Sequence, residues 1–319
     1  MYLSALLGFV LLFGGGELLV RGAVALSRRF GLSPLLIGMT VVAAATSAPE
    51  LVVSVGAALR GSSDIALGNV VGSNVFNVLG VLGISALITP IVVKPQALRR
   101  DTWFMAGSVV ALALAAMLGR IGPVTGLVLL AGLIGYVVYS YRAEMRDESD
   151  PAVELHTHEA EELAVPTSVG ISAAYLAAGL ASLIVGSQLL VTGATEIART
   201  FGLSEAVIGL TLVALGTSLP ELATSVMAAF RGHSDVAVGN VLGSNLFNAL
   251  GIIGATALVR PIAVAPHMAH VDVWVMVAAS LAVVPLLLSR GRVGRLAGGA
   301  FLATYAAYIA LLFVSAPVA

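Results

Sequence analysis

The sequence contains no cysteine, a single lysine (Lys94) and few charged residues of either sign. Without cysteine, disulfides and thiolate metal sites are excluded. Charged residues make up 10% of the chain, against about 25% in a soluble domain, and the net charge of -1 gives no basic surface for nucleic acid. None of the five histidines lies inside a long apolar run beside serine or glutamate. The usual nucleophile–base pairs are therefore missing, and we do not expect an enzyme.

Apolar residues are abundant instead. They account for 59% of the chain, and the mean hydropathy is +1.02. Apolar runs of about 20 residues recur from end to end, and each is long enough to cross a hydrocarbon core about 30 Å thick. Because backbone groups in lipid must be satisfied within helices, we expect an all-α polytopic membrane protein. The ten predicted spans are residues 2–27, 32–59, 64–89, 101–119, 122–142, 168–198, 203–230, 235–259, 271–289 and 295–315.

The chain repeats itself at a constant offset of 171 residues, most closely between residues 38–83 and 209–254. Each half holds five predicted spans, and because five is odd the second half must enter the membrane from the opposite side. Inverted repeats with broken helices and a site at the midplane are typical of secondary transporters, although a pseudo-symmetric channel has the same repeat. We therefore predict two inverted five-helix repeats, residues 1–142 and 168–319, in which helices 2 and 7 are broken.

Residues 143–167 form the predicted linker between the halves. This segment holds 8 of the 17 acidic residues and is too short for a folded domain. A simple solvated loop and a weak metal site at His156 and His158 are the two interpretations of it. Basic residues concentrate in the odd-numbered loops, which indicates that these loops and the linker are cytoplasmic. We expect a multi-pass protein of the cell (inner or plasma) membrane with both termini on the extracytoplasmic side.

One carboxylate lies inside an apolar stretch in each repeat, one residue after a proline. In ATSAPE, helical spacing puts Thr46 and Ser47 on the same face as Glu50, and Pro49 deprives the carbonyl of Ala45 of its usual partner. A carboxylate in a membrane span is costly, so a functional role is the first hypothesis. A protonated packing residue is the alternative. The second repeat has the same set in GTSLPE, at Thr217, Ser218, Pro220 and Glu221.

The next span of each repeat adds a hydroxyl and an amide. In GNVVGSNVFN, Ser73 and Asn77 lie four residues apart on one face, and Ser244 and Asn248 repeat this spacing. Interhelical hydrogen bonding is the alternative role for the two asparagines. Together the repeats offer carboxylate, amide, hydroxyl and carbonyl oxygens. Ca²⁺ takes six to eight such ligands, Na⁺ would use subsets of them, and Mg²⁺ is less suited because it gives up water reluctantly.

At these motifs the sequence resembles the sodium/calcium exchanger family of the cation/calcium antiporter superfamily, whose repeats carry G-T-S-x-P-[ED] and G-x-x-x-G-S-N-x-x-N. The resemblance implies exchange of several Na⁺ for one Ca²⁺ by alternating access, with the first and sixth spans sliding across the site. It also implies a ligand set that includes two backbone carbonyls. That set is Ala43, Thr46, Ser47, Glu50, Ser73, Asn77, Ala214, Thr217, Ser218, Glu221, Ser244 and Asn248.

Two features depart from relatives in this family. Some relatives have aspartate at the position of Asn248, so this chain lacks a third carboxylate there. The linker is also far shorter than the calcium-sensing region of animal exchangers. We predict a Na⁺-driven Ca²⁺ antiporter with no cofactor, in which one chain is a complete, monomeric transport unit in the lipid bilayer. A H⁺-driven Ca²⁺ antiporter, with Glu50 and Glu221 carrying the protons, and a cation channel are the alternatives.

Overall fold

The computed structural model describes residues 1–93, 95–145, 168–201 and 214–315. Most of the predicted linker 143–167, with His156 and His158, lies outside the described residues. So do residues 203–213 of the predicted seventh span. The other nine predicted spans fall within the described ranges.

The described residues are mostly helical, as predicted. Among them, seven helices are long and apolar enough to cross a membrane, or eight if a pair bent by 44° counts as one span. The helices of the first half are α1 (Tyr2–Phe30), α2 (Pro34–Ile37), α3 (Ala43–Thr46), α4 (Ala48–Leu59), α5 (Ser63–Phe76), α6 (Gly83–Ile88), α7 (Pro95–Ala116) and α8 (Pro123–Glu144). Those of the second half are α9 (Val169–Thr200), α10 (Ala214–Gly216), α11 (Leu219–Phe230), α12 (Ser234–Leu246), α13 (Ile253–Val259), α14 (Val273–Arg290) and α15 (Arg295–Ser315).

Short π-helical segments connect several of these helices. A π-turn inserts one residue into the helix, shifts the faces on either side of it and is frequent at functional sites. Two of the segments lie at equivalent places, between α5 and α6 and between α12 and α13. The described π-helical segments are Gly38–Val42, Asn77–Leu82, Phe247–Ile252 and Met268–Asp272.

Two antiparallel strand pairs join the halves at their edges. Strand β1 (Ile91–Val92) pairs with β4 (Arg292–Val293), and β2 (Arg120–Ile121) pairs with β3 (Ile262–Ala263). Each pair therefore takes one strand from the first half and one from the second. These strand pairs connect the two halves outside the helical core.

The two helical stretches that carry the G-S-N-x-x-N motif occupy the centre of the molecule. In Ser63–Ile88 and Ser234–Val259, 78% and 89% of the most apolar window is buried, compared with 11% in α15. The outer helices thus leave their apolar side chains exposed, as lipid-facing helices do. The polar residues of the central helices are therefore surrounded by protein, where they need partners.

Helices α1 and α9 pack antiparallel at one side of this core. Glycines let the two backbones approach closely: a methyl group on Gly15 would lie 2.9 Å from the carbonyl oxygen of Gly179, and one on Gly186 would lie 2.9 Å from that of Gly8. Close packing through small residues is the usual way in which helices associate in lipid, where burial of apolar area gives little driving force.

Helix α7 begins at Pro95, six residues before the predicted start of the fourth span. The sequence assigned Arg99 and Arg100 to a loop because charged residues interrupt the apolar run there. In the structure Arg100 donates two hydrogen bonds to Asp101, at 2.8 and 3.1 Å, and Asp101 also accepts one from Tyr136 at 3.3 Å. Pairing of the charges allows the helix to continue through this polar stretch.

Candidate functional site

Each of the two predicted glutamates lies directly after a break in a helix. Helix α3 ends at Thr46 and α4 begins at Ala48, while α10 ends at Gly216 and α11 begins at Leu219. Ser47 and Ser218 leave the helical geometry at the two breaks, with φ and ψ of -81° and 3° and of -92° and 7°. The breaks are consistent with Pro49 and Pro220, which lack an amide hydrogen and are favoured in the first turn of a helix. The sequence predicted both breaks.

Both carboxylates are fully buried in the first turn of the helix that follows the break. Glu50 opens α4, Glu221 opens α11, and neither has any solvent exposure. The amino-terminal end of a helix carries partial positive charge from its free N–H groups, which stabilises a nearby carboxylate. The two breaks therefore create places where a negative charge is tolerated inside the protein.

The serine of each break contacts the carboxylate of the other repeat. Ser218 donates a hydrogen bond to Glu50 Oε1 at 2.9 Å, and Ser47 donates one to Glu221 Oε1 at 3.2 Å. The sequence placed Ser47 on the same face as Glu50, within one repeat, whereas the hydrogen bonds cross between the repeats. The cause is the helical break itself, which turns the serine away from the helix that carries its neighbour. Ser218 Oγ also lies 3.1 Å from Ser73 Oγ.

Thr46 and Thr217 are held by asparagines of the other repeat. Thr46 donates to Asn240 Oδ1 at 3.1 Å and lies 3.5 Å from Ser244 Oγ, and Thr217 donates to Asn69 Oδ1 at 3.5 Å. Neither Asn69 nor Asn240 belongs to the predicted ligand set. The signal for their position was nevertheless present, because each asparagine lies four residues before the serine of its motif, on the same helical face.

Asn69 and Asn240 also tie each broken helix to the helix that follows it. Asn69 donates to the backbone carbonyl of Glu50 at 3.2 Å and to Ser54 Oγ at 3.0 Å. Asn240 donates to the carbonyl of Glu221 at 3.3 Å and to Ser225 Oγ at 2.9 Å. Each glutamate is thus fixed through its own backbone as well as through its carboxylate.

The two predicted carbonyl ligands differ in their local bonding. The carbonyl of Ala43 accepts hydrogen bonds from the amide of Ser47 at 3.0 Å and from Thr46 Oγ1 at 3.3 Å. In the second repeat, Ala214 begins α10, and the amide of Ser218 donates to Leu215 at 3.1 Å instead. The bond between Ser47 and Ala43 in the first repeat therefore has no equivalent between Ser218 and Ala214.

Asn77 and Asn248 lie in the two equivalent π-helical segments, and both are fully buried. Asn248 Nδ2 donates to Asn74 Oδ1 at 3.0 Å. Asn77 follows Ser73 by four residues, and Ser73 contacts Ser218, which in turn contacts Glu50. Both amides are thus buried on the central helical stretches that also carry Ser73 and Ser244 of the polar region.

Four buried oxygens of the predicted ligands have no hydrogen-bond partner among the described residues, and neither has the nearby Asn245 Oδ1. The four are Glu50 Oε2, Glu221 Oε2, Asn77 Oδ1 and Asn248 Oδ1. A buried polar atom without a partner costs about 1–3 kcal/mol, and more when it is charged. Two carboxylate and two amide oxygens with unused lone pairs are hard donors, so the arrangement is suited to a cation such as Ca²⁺ or Na⁺.

A cavity of about 420 Å³ lies beside this region, between α4 and α9. Its lining includes Pro49, Val52, Gln188, Thr192 and Thr217. Pro49 and Thr217 belong to the two helical breaks, so the cavity adjoins the polar region directly.

The equivalent surfaces of the other repeat are packed against each other. A methyl group on Gly16 of α1 would lie 3.0 Å from the carbonyl oxygen of Ala223 of α11. Glu17, which is equivalent to Gln188, pairs with Arg21 at 2.6 Å and with Arg231 at 2.8 Å. The two sides of the site thus differ in how closely they are covered.

Comparison with known proteins gives a consistent result. The model of the family described as sodium/calcium exchanger protein matches residues 1–142 and 171–314. The antiporter CaxA of Alkalimonas amylolytica is 38% identical over 321 residues, which cover 97% of this chain and 98% of the relative. The sodium/calcium exchanger MaX1 of Methanosarcina acetivorans is 30% identical, and the match covers 98% of this chain and 98% of the relative.

A solved structure shares the fold. The sodium-calcium exchanger NCX_Mj, soaked with 2.5 mM Na⁺ and 10 mM Sr²⁺, superposes with a TM-score of 0.82 at 34% identity. The match covers 96% of this chain and 97% of the other. The helical arrangement described above is therefore that of a membrane exchanger.

Proposed function

Because the chain belongs to the sodium/calcium exchanger family, whose members are transporters and not enzymes, we propose that it exchanges Na⁺ for Ca²⁺ across a membrane. The observation that carries this proposal is the set of four buried oxygens without partners, on Glu50, Glu221, Asn77 and Asn248. An ion that enters between them supplies the missing interactions, and two carboxylates balance the charge of one Ca²⁺. The exchanged ions are the cargo, and the proposed chemistry needs no resident cofactor.

The proposed ion ligands come from both helical breaks and both central helices. The carboxylates and amides provide the strongest oxygen donors, while the hydroxyls and two carbonyls complete a coordination shell of six to eight or serve separate Na⁺ ions. The full proposed set is Ala43, Thr46, Ser47, Glu50, Ser73, Asn77, Ala214, Thr217, Ser218, Glu221, Ser244 and Asn248.

The proposed architecture is ten transmembrane helices in two inverted repeats, residues 1–142 and 168–319, joined by the linker 143–167. Reciprocal contacts at the 171-residue offset support it. Asn74 Nδ2 donates to the carbonyl of Asn245 at 3.4 Å, and Asn245 Nδ2 donates to the carbonyl of Asn74 at 3.3 Å. Such a reciprocal pair of hydrogen bonds is expected for two residues beside a local twofold axis. One chain then contains the whole site, which makes a monomer the transport unit.

Alternating access would follow from movement of α1 and α9 across the site. The cavity between α4 and α9 provides a route to the polar region on one side, whereas the packing of α1 on α11 covers the other. In the opposite state the repeats would exchange these roles. An unoccupied site holds two uncompensated carboxylates in a region of low dielectric, so it resists closure, and a site that contains its cation does not. This difference enforces exchange over leakage.

The proposed location is the cell membrane, with the odd-numbered loops in the cytoplasm and both termini outside. The excess of basic residues in those loops supports this orientation. Arg28 and Arg29 close α1, and Gly31 ends that helix in the left-handed conformation with φ of 63°. Basic residues in the last turn also complement the negative end of the helix.

Uptake of radiolabelled Ca²⁺ into proteoliposomes tests the proposed function. One sample carries an outward Na⁺ gradient at equal pH, and a second carries an outward H⁺ gradient without Na⁺. We expect uptake only with Na⁺. Uptake driven only by H⁺ would identify Glu50 and Glu221 as proton carriers, a role for which a buried carboxylate with an unpartnered oxygen is also suited. Uptake that needs neither gradient would overturn the proposal in favour of a channel.

A further inference from the structure

Asn74 contacts one of the proposed amide ligands directly. It lies in α5, three residues before Asn77, and it is fully buried. Its Oδ1 accepts a hydrogen bond from Asn248 Nδ2 at 3.0 Å, so a residue of the first repeat holds an amide of the second. Asn74 itself is not a member of the predicted ligand set.

The nitrogen of the Asn74 amide faces two groups that can only accept hydrogen bonds. Asn74 Nδ2 lies 3.4 Å from the backbone carbonyl of Asn245 and 3.4 Å from Met276 Sδ. A carbonyl oxygen and a thioether accept hydrogen bonds and donate none. Asn74 must therefore turn its nitrogen toward Asn245 and Met276, which leaves its oxygen for Asn248.

This order of donors and acceptors determines the orientation of Asn248. Facing an oxygen, Asn248 must present its nitrogen to Asn74, and its own oxygen is then on the opposite side of the amide. That oxygen has no hydrogen-bond partner in residues 1–93, 95–145, 168–201 and 214–315. The reverse orientation would bring two amide oxygens together at Asn74 and would turn an N–H group toward an incoming cation.

The equivalent contact is not made in the other repeat. Asn245, which corresponds to Asn74, donates to the carbonyl of Asn74 at 3.3 Å. Its Oδ1 has no partner in the described part of the chain, and neither do Oδ1 and Nδ2 of Asn77, the counterpart of Asn248. Asn74 and Asn245 thus share their residue type, their burial and the contact with each other, but only Asn74 orients an amide of the proposed site.

We propose that Asn74 is a positioning residue for ion binding: its Oδ1 holds the Asn248 amide with the carbonyl oxygen free to bind the transported cation. This inference rests on the proposed function, because Asn248 is a proposed ligand. Asn74 acts through Asn248 and does not itself coordinate the ion. Its contribution is to exclude the reverse amide orientation, and so to raise the affinity for Ca²⁺.

Asn74→Leu tests this role, because leucine has a similar volume and no acceptor. We expect the KM for Ca²⁺ to rise about 3- to 10-fold, as for loss of one hydrogen bond, with kcat changed much less. Asn245→Leu is the matched control, since it removes the reciprocal contact without touching Asn248, and it should leave KM within about twofold of wild type. Asn74→Ser serves if the leucine variant does not fold, since its shorter side chain also fails to reach Asn248.

Two further backgrounds separate positioning from a packing role. In Asn248→Ala there is no amide to orient, so addition of Asn74→Leu should leave KM unchanged. In Asn248→Asp the two carboxylate oxygens are equivalent, so Asn74→Leu should not raise KM there either. Equal increases in KM from Asn74→Leu in all three backgrounds, or an equal effect of Asn245→Leu, would overturn the proposal. Wild type without Na⁺-driven Ca²⁺ uptake would instead refute the proposed function.

Discussion

Ser218 donates a hydrogen bond of 2.9 Å to Glu50, although the two residues lie 168 positions apart in the chain. The equivalent bond, from Ser47 to Glu221, measures 3.2 Å. The hydroxyl that serves each carboxylate therefore belongs to the other repeat. Movement of one repeat relative to the other must alter the surroundings of both glutamates together, which is what an exchanger with a single central site requires.

Removal of the Ser218 hydroxyl should weaken Ca²⁺ binding. Hydrogen bonds to charged groups contribute about 1.5–3 kcal/mol, so Ser218→Ala should raise the KM for Ca²⁺ about 10- to 100-fold. Ser27→Ala is the control, because Ser27 is equally buried and its hydroxyl donates to the carbonyl of Val24 in its own helix. Uptake measured over a range of Ca²⁺ concentrations distinguishes them. Identical KM values for both variants would contradict the cross-repeat contact.

A third carboxylate at position 248 should make the thermal stability of the protein depend more strongly on bound Ca²⁺. In Asn248→Asp, three buried negative charges repel one another until Ca²⁺ enters. We expect the melting temperature without Ca²⁺ to fall below that of wild type and the increase on addition of Ca²⁺ to be larger, since a ligand stabilises the state that it binds. Thermal unfolding with and without Ca²⁺ measures both quantities. An equal Ca²⁺-dependent increase in the two proteins would show that position 248 does not face the ion.

A larger side chain at Gly15 should separate α1 from α9. A Cβ at this position would lie 2.9 Å from the carbonyl oxygen of Gly179, so Gly15→Val should destabilise the protein by about 1–3 kcal/mol and slow transport. The adjacent Gly14 has open space around it, so Gly14→Val is the matched control and should be tolerated. Thermal unfolding and initial uptake rates test this. Tolerance of both variants would argue against close packing of the two helices.

Loss of the Asn240 amide should destabilise the second break. Asn240 donates to the carbonyl of Glu221 and to Ser225, and Asn240→Leu removes both donors. Each buried group that loses its partner should lower the free energy of unfolding by about 1–3 kcal/mol. Asn69→Leu should have a similar effect, because Asn69 makes the equivalent bonds to Glu50 and Ser54. Melting temperatures at or above that of wild type for both variants would contradict this role.

Local chemistry explains which features could be predicted from the sequence. Pro49 and Pro220 favour a helix start because the missing amide hydrogen is a property of proline itself, although Pro285 lies inside the continuous helix α14. Glu50 and Glu221 could be recognised as a pair because the repeat that relates them is visible in the sequence alone. The mostly helical character likewise follows from the apolar runs.

The partners of the polar side chains could not be predicted in this way. Helical spacing relates Ser47 to Glu50 within one repeat, but the observed bond to Glu221 depends on how the two repeats dock. The contact between Asn74 and Asn248 has the same origin. Asn248 also lies in the π-helical segment Phe247–Ile252. Spacing rules for an α-helix do not describe such a segment.

Equilibrium binding of radiolabelled Ca²⁺ to the purified protein tests the central claim most directly. The account predicts that wild type binds Ca²⁺ and releases it when Na⁺ is added. It also predicts that Glu50→Gln and Glu221→Gln each abolish binding while the helical content and the elution volume stay unchanged. Binding of Ca²⁺ with wild-type affinity by both glutamine variants would contradict the assignment of the ion site to these two carboxylates.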